Sequence, residues 1–140
     1  MGLFDRLFGR RVTLDPASLQ RLEAWRAQPE SSLSDAFATT RYVVVDVETT
    51  GLDLVRDRLI AIGACAVENG QVVMADSFEI VLRQDKTSTK DNILIHGIGG
   101  EAQRDGLEPA EALLDFLDFL GKSPLVAFHV TFDETMIKRA

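Results

Sequence analysis

The 140-residue chain is 46% hydrophobic and 26% charged, proportions that exclude a disordered, collagen-like or membrane-spanning polypeptide and suit one domain burying about 70% of its unfolded surface. Fifteen Lys and Arg against 22 Asp and Glu give a formal net charge of -7. That balance excludes an overall basic coat for nucleic acid, but not acids that hold metal ions, because the metals restore positive charge locally.

The single cysteine, Cys65, excludes an intrachain disulfide and fits a reducing cytoplasm. No apolar run approaches the roughly 20 residues of a membrane span, and the first residues lack the pattern of a secretory signal. Leu3, Phe4, Leu7 and Phe8 recur at helical spacing before Gly9 and two arginines, which predicts either a short amphipathic helix that docks on a partner or membrane surface, or a frayed terminus. Asp15 as N-cap, Pro16 at the first helical position, and Leu19, Leu22 and Trp25 on one face predict a second helix, ended by Gln28-Pro29. Glu30 to Thr40 reads as a polar connector, so residues 1–41 form a helical N-terminal extension.

From Tyr42 the pattern changes to β-branched and period-two runs. Tyr42 to Val47 predicts a buried strand, Leu59 to Val67 a second, and Gln71 to Leu82 a third. The last two are joined at Asn69-Gly70, which tolerates the positive φ of a two-residue hairpin turn. Arg83 to Asn92 reads as a polar loop, and Ile93 to Gly106 is glycine-rich without a clear periodicity. Pro109 opens a helix with Leu113, Phe116, Leu117 and Leu120 on one face and Gly121 as its stop. Pro124 to Phe128 is a short strand that this helix brings parallel to the first. Thr131 and Glu134 have capping-box spacing for a last helix. Cys65 is expected in the core, and Phe128 and Phe132 either pack in the core or stack on bases.

Asp46 and Glu48 stand one residue apart at the end of an otherwise apolar strand, so both carboxylates point to one face. Two acids together repel and are costly to bury unless something positive lies between them. An oxygen-only ligand set suits Mg²⁺ or Mn²⁺; the alternative is an exposed strand end with two solvated acids.

The string Val43-Val44-Val45-Asp46-Val47-Glu48-Thr49-Thr50-Gly51-Leu52 resembles the first motif of the DEDD superfamily of 3′-5′ exonucleases. This is the DnaQ-like group that includes the proofreading epsilon subunit of bacterial DNA polymerase III and ribonuclease T. Leu125 to Asp133 resembles the second motif, an apolar strand before a Phe-Asp that opens a helix, with Asp133 at the third acidic ligand and His129 where the family usually has Asn. Asp57 to Ala64 resembles the family's second strand, with Ala61 where an acidic residue is common, and Ile95-His96-Gly97-Ile98 matches a segment beside bound nucleotide. The resemblance spans Tyr42 to Ala140. It implies an α/β, ribonuclease H-like mixed sheet of three antiparallel strands plus a parallel one, with flanking helices. It further implies a two-metal phosphodiesterase with Asp46, Glu48 and Asp133 as catalytic metal ligands, Asp46 bridging two Mg²⁺ or Mn²⁺ ions. Thr49, Thr50, Leu52, His96 and His129 would then contact substrate, and the substrate would be single-stranded DNA or an unpaired 3′ end, with RNA as the other option.

A third motif, His-x4-Asp, supplies the general base and fourth acid in the DEDDh branch and normally lies tens of residues after the second. Only residues 134–140 follow Asp133, so the expectation is an incomplete exonuclease domain over residues 42–140, truncated before that motif. The leading function is a metal-dependent 3′-5′ exonuclease. The alternative is an inactive nucleic-acid- or metal-binding fragment, or an interaction module whose N-terminal helices tether it to a polymerase or another protein.

Overall fold

A computed structural model describes residues 13–140, and the helix expected over Leu3 to Phe8 lies outside the described residues. The elements run α1 (Pro16–Arg26), β1 (Arg41–Thr49), β2 (Leu59–Glu68), β3 (Gln71–Val81), α2 (Lys90–His96), α3 (Gly100–Arg104), α4 (Pro109–Leu120), β4 (Leu125–Val126) and α5 (Val130–Arg139), with a single 3₁₀ turn at Phe37–Thr39. Among the described residues no helix is long and apolar enough to cross a membrane.

The four strands form one mixed sheet in the order β3-β2-β1-β4. β1 and β3 flank β2 antiparallel, and β4 lies parallel to β1 through Val43 opposite Leu125 and Val44 opposite Val126. The hairpin turn forms at Asn69 and Gly70, with φ of 50° and 74°, the two positive values that a type I′ connection needs. Beyond the first three pairs the hairpin count slips, from Ala66 opposite Val73 to Cys65 opposite Ser77. This bulge throws Asp76 outward to the Arg41 guanidinium, at 2.7 and 3.0 Å, and those hydrogen bonds hold the Asp76 carboxyl below its usual range.

One face of the sheet is covered. Val43, Val45, Val47, Ile62 and Ala64 pack with Ala112, Phe116 and Leu120 of α4 and Met136 of α5. Phe78 joins them, its ring 5.8 Å from that of Phe116 and 5.3 Å from that of Phe119. Burial of Phe116, 2% exposed, contributes about 2–3 kcal/mol. α1 docks differently. It buries no residue, and it is fastened to α4 by Arg21 to Asp115 and Asp118 (2.7 and 2.5 Å), by the Trp25 indole N–H to Gly121 O (2.7 Å), and by the Lys122 ammonium 3.8 Å from the Trp25 ring centre.

Several local expectations change. Lys90 begins a helix inside the predicted loop, capped by Thr89 Oγ1 accepting from Asn92 N at 3.3 Å. Its Leu94 and Ile95 are 83% and 82% exposed, so no inward stripe announces it. The strand expected at Pro124 to Phe128 is two residues long, and Phe128 is fully exposed whereas Phe132 packs against the core. α5 starts at Val130 with His129 as N-cap, because the His129 carbonyl already accepts from Phe132 N and Asp133 N. Thr131 therefore sits inside the helix and the expected capping box does not form. Cys65 is half-buried on the open face of the sheet rather than in the core.

Candidate functional site

The pleat that sends Val43, Val45 and Val47 into the core sends Val44, Asp46 and Glu48 to the opposite face. Asp46 lies across from Gly63 and Glu48 across from Ala61, and Gly63 in turn faces Glu79 of β3. These small residues leave a trough of about 550 Å³ whose walls include Val44, Asp46, Glu48, Glu79, His96 and Ile98. A smaller cavity of about 370 Å³, between Asp57–Leu59, the Leu82–Lys86 segment and the end of α5, contains none of the three predicted acids.

Asp133 reaches the same region from the first turn of α5 and is 5% exposed. Its carboxyl titrates above the usual range, first because burial penalises the charged form and then because Asp46 is near, although the His129 and Asp133 backbone N–H groups pull the other way. Glu48 is raised for the same two reasons in the same order, burial and then Asp46, with His96 opposing. Asp46 thus acts on both other acids. Among the described residues none of the three forms a salt bridge. As the side chains stand, no group of three or more His, Cys, Asp or Glu among the described residues closes tightly enough to hold a metal ion. The donor set itself, three carboxylates, has the chemistry that a hard divalent cation requires.

The residues after Glu48 form a tight turn. Thr49 is buried and donates its hydroxyl to Gly51 O at 2.7 Å, while the Thr50 hydroxyl donates to Asp57 Oδ1 at 2.7 Å. Both hydroxyl protons are therefore used within the turn, and Leu52 projects outward, 85% exposed. His96 lines the trough with both ring nitrogens engaged. Nδ1 accepts from Ile98 N at 3.0 Å, and Nε2 lies 3.2 Å from Ser88 Oγ. The backbone amide at Nδ1 assigns the ring proton to Nε2. Ser88 is held by the fully buried Gln103, which donates to Ser88 Oγ (2.7 Å) and accepts from Ser88 N (2.9 Å). His129 is exposed at the start of α5, edge-on to Phe132 with ring centres 6.2 Å apart. The structure thus brings Asp46, Glu48, Asp133 and His96 to one region, with the Thr49–Leu52 turn leading away from it.

Glu79, Asp57 and Asn92, whose side chain donates to Thr49 O at 2.9 Å, escape sequence reasoning. Counting pairs outward from Asn69-Gly70 would misplace Glu79 because of the bulge, and the other two act through loop contacts with no periodic signature.

Two acids one residue apart on a buried strand, and a third on the helix that follows a parallel strand, occur here on the segment that the exonuclease family (RNase_T) matches, residues 43–140. The chain belongs to the exonuclease family. This exonuclease-family chain is 33% identical over 107 residues to the PolC-type DNA polymerase III of Thermotoga petrophila, covering 76% of the chain and 8% of that protein. It is 34% identical over 92 residues to the corresponding Bacillus subtilis polymerase, covering 66% and 6%. The chain therefore spans less than a tenth of the length of these relatives. Among solved structures it resembles exonuclease I in its apo form, with a TM-score of 0.61 at 18% identity over 71% of this chain and 24% of that one. The Escherichia coli exonuclease I complex with a dA16 oligonucleotide is similar at a TM-score of 0.60, also 18% identical, over 71% and 23%. The mixed sheet with its flanking helices is the ribonuclease H-like fold of DEDD-type exonucleases.

Proposed function

We propose that the chain carries a 3′-5′ exonuclease centre in which Asp46, Glu48 and Asp133 hold two divalent cations, Mg²⁺ or Mn²⁺, and that its substrate is single-stranded DNA or an unpaired 3′ end. The observation that carries this reading is the accumulation of unpaired negative charge. Burial and then Asp46 hold up the proton affinity of both Glu48 and Asp133, and among the described residues no lysine or arginine forms a salt bridge with any of the three. Asp46, the shared neighbour, is the residue suited to hold both ions. Such ions supply Lewis acidity to the phosphodiester and lower the proton affinity of the attacking water. The chain's own groups orient the strand. Leu52 offers an apolar surface to the terminal base from the Thr49–Thr50 turn, His96 forms a fixed edge of the trough beside Glu48, and His129 stands at the mouth of α5 within reach of the backbone that Asp133 faces. RNA is the second substrate this chemistry would accept, since attack on the phosphate does not depend on the 2′ position. The PolC-type relatives and the oligonucleotide-bound structural neighbour support a nucleic-acid substrate. Residues 42–140 form the exonuclease domain in this reading. Residues 1–41 form an extension that meets a polymerase or another protein, with α1 as its described helix.

A second reading, an inactive binding or interaction module, is favoured by one observation: among the described residues the acids do not close into a ready metal cage. The two are separated by incubating the purified 140-residue protein with a 5′-labelled single strand, with and without Mn²⁺, beside Asp46→Ala. Metal-dependent shortening from the 3′ end that disappears in the variant supports the exonuclease. Intact substrate under every condition sinks activity for this chain and leaves the binding module.

A further inference from the structure

The segment joining β1 to β2 is a closed loop. Thr50 N donates to Arg58 O, and Arg58 N returns a bond to Thr50 Oγ1, each at 3.0 Å. One carboxylate joins its two limbs. Asp57 Oδ1 accepts the Thr50 hydroxyl at 2.7 Å, and Asp57 Oδ2 accepts Asp53 N at 2.8 Å. Asp53 in turn accepts from Val55 N (2.8 Å) and Arg56 N (3.0 Å). The carboxylate sits so close to the turn that a Cβ on Gly51 would lie 2.5 Å from Asp57 Oδ2, so any larger residue there would displace it. From outside, Arg139 of α5 donates to the carbonyls of Leu54, Val55 and Asp57. α5 is also the helix of Asp133.

A surface loop with three exposed apolar residues, Leu52, Leu54 and Val55 at 85%, 36% and 76%, would ordinarily be mobile and poorly suited to hold a partner. This one is fixed from within and from the side, and fixing it removes ordering entropy that binding would otherwise have to supply. We infer that Asp57 is a positioning residue of the site: its carboxylate sets the Thr50–Leu52 turn as a preformed apolar ledge for an unstacked base, and Arg139 ties that ledge to the helix bearing Asp133. The base as ligand rests on the exonuclease reading; the rigidity does not.

Asp57→Ala, Asp57→Asn and Gly51→Ala are compared with the wild-type 140-residue protein. Hydrogen exchange at the Asp53 and Arg58 amides should speed up about tenfold or more in Asp57→Ala while the β1 and β2 amides stay protected. On a 5′-labelled single strand with Mn²⁺, KM should rise about tenfold with kcat within about twofold, because the ledge places substrate and does not touch the reacting atoms. Asp57→Asn still accepts from Asp53 N and should restore much of the loss. Gly51→Ala pushes the carboxylate aside and should reproduce it. Unchanged exchange, or a fall in kcat at constant KM, overturns the proposal. If the wild-type protein neither cleaves the strand nor binds thymidine 5′-monophosphate, the exonuclease reading fails by itself, and the exchange data alone decide whether Asp57 fixes the loop.

Discussion

The two faces of β1 are made from alternate residues of one strand and meet opposite environments. Val43, Val45 and Val47 are 0%, 4% and 9% exposed beneath α4 and α5, while Val44, 40% exposed, shares the open trough with Asp46 and Glu48. Residues about 3.3 Å apart along the chain thus answer to different rules. On the covered face water is excluded, and apolar area is what stabilises. On the open face, partial burial raises the proton affinity of Glu48 without making its charge intolerable. The pleat separates what holds the protein together from what the site does, so each side can be altered almost independently.

The largest test of that separation exchanges one residue for a charge on each face. Val45→Lys places an ammonium in the apolar cluster of Val43, Phe116 and Met136, and should destabilise by more than about 4 kcal/mol, enough to unfold the chain in urea titrations. Val44→Lys should stay within about 0.5 kcal/mol. Equal losses at the two positions would mean the faces are not distinct. A smaller effect is expected from the cation. Mn²⁺ at about ten times its Kd should add roughly 1.4 kcal/mol in thermal unfolding, and this gain should vanish in Asp46→Ala; an identical gain in that variant would place the ion elsewhere.

The smallest effect sharpens the electrostatic side of the comparison. Glu48 and Asp133 titrate above their ordinary values of 4.5 and 3.8, so between those values and the raised ones the folded state binds more protons than the unfolded one. Without divalent cation their contribution to stability therefore falls as pH rises through that window, and the penalty is complete above it. Glu48→Gln and Asp133→Asn should each stabilise the metal-free protein at neutral pH, by less than about 1 kcal/mol after solvent screening. The gain should disappear in melts recorded below the ordinary carboxylate values. A gain that grows on acidification would reverse the assigned sign.

Much of this organisation could be read from the residues because it is written locally. The β-branched run at Val43–Val47, the Asn69-Gly70 turn and the α4 stripe through Phe116 and Leu120 each carry their own period or turn chemistry. Asp46 and Glu48 were visible because their spacing matches the strand. α2 was hidden because its Leu94 and Ile95 face solvent, and what fixes it is a cap at Thr89 and the Ser88–Gln103–His96 bonds. Glu79 was hidden by a slip in register that no local pattern encodes. Leu114, buried although outside the predicted stripe of α4, shows that a helix can be covered on more than its core face.

The order of contacts along the chain also has a consequence in time. β2 and β3 meet across a two-residue turn, whereas β1 finds β4 only after the intervening strands and helices have been laid down. Closing a loop of that length costs more entropy than closing a two-residue turn, and that cost falls before the pairing returns any stabilisation. Refolding followed by pulse-labelled exchange should protect the Ala66 and Val73 amides, a paired position of the hairpin, before Val43, whose N–H waits for Pro124 O; simultaneous protection would sink this sequence of events. On that order Asp133, carried by the helix after β4, reaches Asp46 and Glu48 last, and a chain halted before β4 pairs would carry two of the acids with nothing yet to face.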